Sequence, residues 1–190
     1  MRLTLLLPLI LILTVSLSLS LIAFASFSSA TPVESRLKPL VDLIERRLDI
    51  AEAVALHKWD LGQPVQDDER ERQIIASVRR EAPKHGLDPD RAETFFIDQM
   101  TAGKLIQQTL LNRWKDNQQA PETPRQDLRA ELRPQLDALQ HELLRHLAVF
   151  EQAGIPTCGP WMYQIIVSSS NDLLRQAALG VATMQLCKDA

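Results

Sequence analysis

Strand-forming material is scarce in this chain. One tyrosine, five phenylalanines and six glycines in 190 residues, with no alternating run of β-branched residues, exclude a sandwich or barrel. Metal-binding spacings are missing too. There is no Cys-x-x-Cys or His-Glu-x-x-His pattern, and His57, His85, His141 and His146 share no ligand spacing, so no metal is expected. A basic excess is also lacking. With 21 Lys and Arg against 24 Asp and Glu, the net charge of −3 offers no electrostatic reason for a nucleic-acid partner or an anionic membrane surface. Ser168 to Ser170 has no recognisable base partner, which removes a hydrolase triad.

The one long apolar run opens the chain. Met1 to Ala30 carries a single charge at Arg2, then Leu, Ile and Val, then small residues, the order of a secretory signal peptide. Cleavage is expected after Ala25 or Ala30, giving a single domain over 31–190. The alternative is that the run from Leu3 to Phe27 is retained as a membrane anchor. Two small-residue cleavage sites and the lack of a basic stop-transfer cluster favour removal. Losing Arg2 with the leader moves the net charge only to −4. The mature protein is expected outside the cytoplasm, in the periplasm or secreted. Its two cysteines, Cys158 and Cys187, then form one disulfide, with two free buried thiols as the alternative.

What is present is helical periodicity, and the fold class is all-α: a bundle-like domain of five to six helices. A first helix is expected over about 35–59, broken at Leu61-Gly62-Gln63-Pro64. A second starts at Asp67 or Asp68 and ends near Lys84, before the turn His85-Gly86. Asp88-Pro89, a cap followed by proline, opens a third helix that reaches about Asp116. These core helices occupy 31–116. After a polar linker from Asn117 to Thr123 come the C-terminal helices of 124–190. The fourth runs over about 125–153, with Pro134 as a kink or as its true beginning. The last runs over about 160–188, interrupted at Ser168 to Ser170 and capped again by Ser170 or Asn171.

Polar residues interrupt this pattern where apolar ones belong. Leu40, Ile44, Arg47, Ala51, Val54 and Lys58 form one helical stripe, so two permanent cations sit on a buried seam roughly 16 Å apart. Burying a charge without a partner costs several kcal/mol, so internal carboxylates or an anionic ligand are implied. Asp67, Arg70 and Glu71 share one face of the second helix. Gln107 follows Gly103 on the third helix's stripe of Phe96, Gln99, Gly103, Gln107, Leu110 and Trp114, and Arg133 borders the fourth helix's apolar face. Singly, each charge reads as a snorkelling side chain or a helix-start acid, and Gln107 as a core amide. Together they read as one pocket rich in donors and without a nucleophile. Such a pocket binds a small dianion, holds it in a reactive shape, and stabilises charge that separates as a bond breaks.

Three motifs carry a resemblance: Arg47-Leu48-x2-Ala51-x2-Val54-Ala55-x2-Lys58-Trp59, then Pro64-Val65-x-Asp67-x2-Arg70-Glu71, then Phe96-x2-Gln99-Met100-x6-Gln107. The chain resembles the all-helical chorismate mutases. The leader, the longer C-terminal half and the cysteine pair are similar to their exported subclass, and the cysteines match that subclass's disulfide in placement. The resemblance implies conversion of chorismate to prephenate by a Claisen rearrangement, with no cofactor, no metal and a homodimeric assembly. It implies that Arg47 binds one carboxylate and that Lys58 and Gln107 donate to the ether oxygen. Asp67 and Glu71 would meet the ring hydroxyl, and Arg70 would contact carboxylate and brace the acids. Arg133, with Arg129 as the alternative, would hold carboxylate from the fourth helix. Gly103 departs from the family, which often has a polar side chain there. A second reading is a catalytically inactive helical domain that binds a small carboxylate or serves as an interaction module. The donors Lys58 and Gln107 argue against it.

Overall fold

The computed structural model describes residues 32–155 and 158–187, so the leader and its two cleavage positions lie outside the described residues. Six α-helices and no strand occur among them. The first, α1 (Pro32–Leu61), spans 30 residues, and every member of its stripe from Leu40 to Lys58 is buried. Gly62, at φ 61°, and the segment that follows reverse the chain.

Asp67 caps α2 (Asp68–Glu81) by accepting a bond from the Arg70 amide at 3.1 Å, so Asp67 rather than Asp68 is the starting residue. A 3-10 turn over Ala82–His85 and Gly86 at φ 74° then lead to α3 (Pro89–Asn117), which Asp88 caps. α1 packs on α3 and α4, while α3 also packs on α2. Leu40, Ile44, Phe95, Phe96, Leu143 and Leu147 are fully buried in the core these faces enclose. Trp114 is buried and meets the half-buried Trp59 edge-on, with ring centroids 6.1 Å apart.

The fourth helix begins later than its periodicity suggests. Arg125 is not helical; it reaches across the linker to Asp60 at 2.6 Å. Asp127 is the cap, accepting from the amides of Arg129 and Ala130 at 2.8 and 2.6 Å. A π-turn over Leu128–Leu132 precedes α4 (Arg133–Gln152). Glu131 in turn accepts from the Asp127 amide at 3.0 Å. This is a reciprocal capping pair with four residues of spacing instead of three, as the wider turn requires. Pro134 therefore sits at the helix start, where its missing N–H costs nothing.

The C-terminal segment divides into α5 (Gly159–Ser169) and α6 (Leu173–Ala182), and the latter is capped by Asp172, not by Ser170 or Asn171. The helix stops at Ala182, and residues 183–187 turn back to bring Cys187 to Cys158, with Cα atoms 5.2 Å apart. Three further bonds fasten this end to α3. Gln99 donates to the Ala182 carbonyl at 2.7 Å, Arg91 to the Gln185 carbonyl at 2.8 Å, and the Gln185 amide to Asp98 at 3.1 Å.

The disulfide closes a loop of 29 residues, worth ~3–4 kcal/mol in the chain-entropy model. Replacing both cysteines should therefore lower the melting temperature. Activity at moderate temperature should persist, since the polar bonds to α3 remain. Intact-mass analysis of exported protein should find two mass units fewer than the dithiol. Free thiols in fresh material would contradict the pairing.

Candidate active site

A cavity of about 120 Å³ opens where α1, α2, α3 and the start of α4 meet. It collects Arg47, Lys58, Asp67, Arg70, Glu71, Gln107 and Arg133, which are the residues singled out by sequence. Arg129 does not line it and is exposed, so the fourth helix contributes Arg133. Five cations and two carboxylates line the cavity, a positive site within an acidic chain.

Arg47 is 8% exposed and has no hydrogen bond or ion pair among the described residues. Burial, and then repulsion from Arg70, lowers its pKa to about 10 against a weaker opposing pull from Asp137. A guanidinium held this way would be completed by an anion entering the site. Lys58, equally buried, donates from Nζ to the Val65 carbonyl at 2.6 Å. Burial pushes its pKa down, Asp67 and Glu71 partly restore it, and Arg133 and Lys104 push it down further.

Gln107 is buried, and its Oε1 has no partner among the described residues. Gly103 stands one turn before it. A Cβ there would lie 3.7 Å from the Ala51 Cβ and 4.0 Å from Gln107 Nε2, both ordinary contacts, so space does not enforce the glycine.

The acids are held in different ways. Asp67 uses one oxygen to cap α2 and faces Arg133 with the other at 3.4 Å. Glu71 is gripped by Lys104, 3.0 Å from each carboxylate oxygen. The Arg70 side chain braces neither acid, contrary to expectation; it pairs with Asp137 at 2.6 Å, one turn beyond Arg133 on α4.

Sequence reasoning passed over Lys104 and Asp137. The available signals were Lys104 three residues before Gln107, hence on the same face, and Asp137 four after Arg133. Gln99, only 1% exposed, also lines the cavity; its NH2 group donates to the Ala182 carbonyl and its Oε1 has no partner among the described residues.

The model of the chorismate mutase type II family matches residues 38–108. A secreted chorismate mutase from Mycobacterium tuberculosis is 32% identical over 161 residues, covering 81% of this chain and 79% of that protein. The crystal structure of a chorismate mutase from Burkholderia phymatum shares 36% identity at a TM-score of 0.75, over 83% of this chain and 99% of that one. A secreted chorismate mutase from Yersinia pestis, at 22% identity and a TM-score of 0.63, has the same fold over 76% of this chain and 92% of its own. Two of the relatives are secreted proteins, and the protein is exported. The match over α1 to α3 coincides with the segments that carry Arg47, Lys58, Glu71 and Gln107, and the longer alignment extends it through most of the chain: the protein belongs to the chorismate mutase type II family.

Proposed function

We propose that the cavity converts chorismate to prephenate, the ether C–O bond breaking while a new C–C bond forms within the same molecule. The observation that carries this reading is Arg47, a buried guanidinium without a partner among the described residues, in one cavity with the donors Lys58 and Gln107. Arg47 binds one carboxylate and orients the side chain that bears the ether. Arg133 helps hold substrate carboxylate, and Arg70, steadied by Asp137, contacts it as well. Asp67 and Glu71 receive the ring hydroxyl.

Lys58 and Gln107 donate to the ether oxygen. An ammonium has three hydrogens, so the bond to Val65 fixes Lys58 and leaves others for the substrate. Negative charge grows on that oxygen only as the bond breaks, so these donors act on the transition state more than on bound substrate. No residue exchanges a proton, and no covalent intermediate forms.

The test is the purified mature chain with chorismate: loss of its absorbance, with prephenate identified as product. Chorismate bound but not consumed would favour the inactive carboxylate binder. The profile of the wild type should be nearly flat from about pH 5 to 8, because neither donor changes charge there. Its alkaline fall should begin below the range of an ordinary lysine, as the direction of the Lys58 shift requires. Gln107→Glu should lose activity progressively with rising pH, since an ionised carboxylate repels the developing oxygen charge. A flat profile for this variant would place residue 107 away from the breaking bond.

We infer a homodimer from the family resemblance, and removal of the leader after Ala25 or Ala30. Native mass spectrometry of the exported protein reads both, and a monomer or an intact leader would contradict them.

A further inference from the structure

We infer that Lys104 is a positioning residue for this reaction, clamping the Glu71 carboxylate so that it receives the substrate hydroxyl and stays off Lys58. The inference depends on the assignment of the pocket to chorismate.

Lys104 lies on α3, directly after Gly103, and its ammonium ties three segments together. It donates to both oxygens of Glu71 on α2 at 3.0 Å, and to Gln66 Oε1 in the α1–α2 connection at 3.3 Å. Contact with both carboxylate oxygens sets the plane of the group, while each oxygen keeps a lone pair for a further donor. The pair is part of the cavity wall, with side chains 31% and 25% exposed, so water screens it less than it does an open surface pair.

A clamp matters because Glu71 is one of two acids among five cations. Lys58 faces the same cavity and feels the Glu71 charge, yet no ion pair joins them among the described residues. Released from Lys104, the carboxylate can swing toward Lys58 and take the hydrogen that the ether oxygen needs. An Asp or Glu paired directly with Lys58 would neutralise the group whose charge the transition state uses. Lys104 thus acts through Glu71, and through it on Lys58, without touching the substrate.

The experiment measures kcat, KM and melting temperature for the wild type, Lys104→Met, Lys104→Arg, Glu71→Gln and the Lys104→Met/Glu71→Gln double variant, with chorismate as substrate. Lys104→Met should lower kcat/KM about tenfold, mainly in kcat, with the melting temperature moved by no more than about 2 °C. Lys104→Arg should recover activity to within about threefold, because it restores a cation against Glu71. In the Glu71→Gln background, Lys104→Met should cost nothing further, since the carboxylate to be clamped is gone.

Full activity in Lys104→Met overturns the inference. So does a loss that arginine fails to rescue, or one accompanied by a fall in melting temperature, which would mark a structural role. Losses that multiply between Lys104→Met and Glu71→Gln overturn it as well, by placing Lys104 on the substrate itself. A wild type inert toward chorismate defeats the reading of the pocket and this inference with it; an active wild type with multiplying losses defeats this inference alone.

Discussion

Lys58→Ala is expected to remove at least ~3 kcal/mol of transition-state stabilisation, roughly a hundredfold or more in kcat, while KM moves little. The asymmetry follows from where the charge develops. Bound chorismate presents a weakly accepting ether, whereas the breaking bond presents a strongly accepting one, so the loss falls on the chemical step. The fold should tolerate the change. It removes a buried cation and frees the carbonyl of Val65, a half-buried residue of the cavity rim where water can replace the lost donor. Steady-state kinetics on the folded variant is the measurement, and near-normal turnover would assign the ether donor elsewhere.

Arg47→Ala should raise KM and lower kcat together, because one carboxylate contact secures both binding and the reactive conformation. Its effect on stability has the opposite sign. Burial lowers the pKa of Arg47 to about 10 in the folded protein, so the unfolded chain holds this proton more tightly. Below about pH 10 the folded state carries the whole cost of the buried charge, on the order of 3 kcal/mol, and sheds it only as pH rises from there toward the unfolded value. Arg47→Leu, which fills the same seam without the charge, should therefore melt higher than the wild type near neutral pH while losing its activity. A lower melting temperature would mean that Arg47 serves a structural ion pair. An anionic ligand bound at Arg47 would relieve this cost.

Arg47, Lys58 and Gln107 are legible in the sequence because each breaks an apolar helical stripe, and a broken stripe has few inexpensive explanations. Lys104 and Asp137 are not. Both are ordinary charges on amphipathic helices, the kind that usually end in water. Their partners Glu71 and Arg70 lie 33 and 67 residues away and meet them only through packing.

The start of the fourth helix shows a different difficulty. Pro134 marks the helix start to within a residue, but the turn ahead of it is a π-turn, so the capping pair Asp127 and Glu131 has a spacing that a three-residue pattern misses. At the last helix three adjacent polar residues compete for the cap. Asp172 takes it, accepting from the Leu174 amide at 3.0 Å, and sequence alone does not separate it from Ser170 and Asn171.

The placement of Arg133 has a consequence for how the protein behaves when it is scarce. Its guanidinium lies 3.4 Å from Asp67 within the same chain, and α1, α2, α3 and α4 of that one chain surround the cavity. Mass action separates subunits as a solution is diluted, and a site completed by a neighbour's side chain disappears with the neighbour. Here the fourth wall is folded into the protomer, at the cost of the extra chain that carries it. An exported protein works away from the site of its synthesis, in the periplasm or beyond it, and turnover per protomer is expected to hold on dilution there.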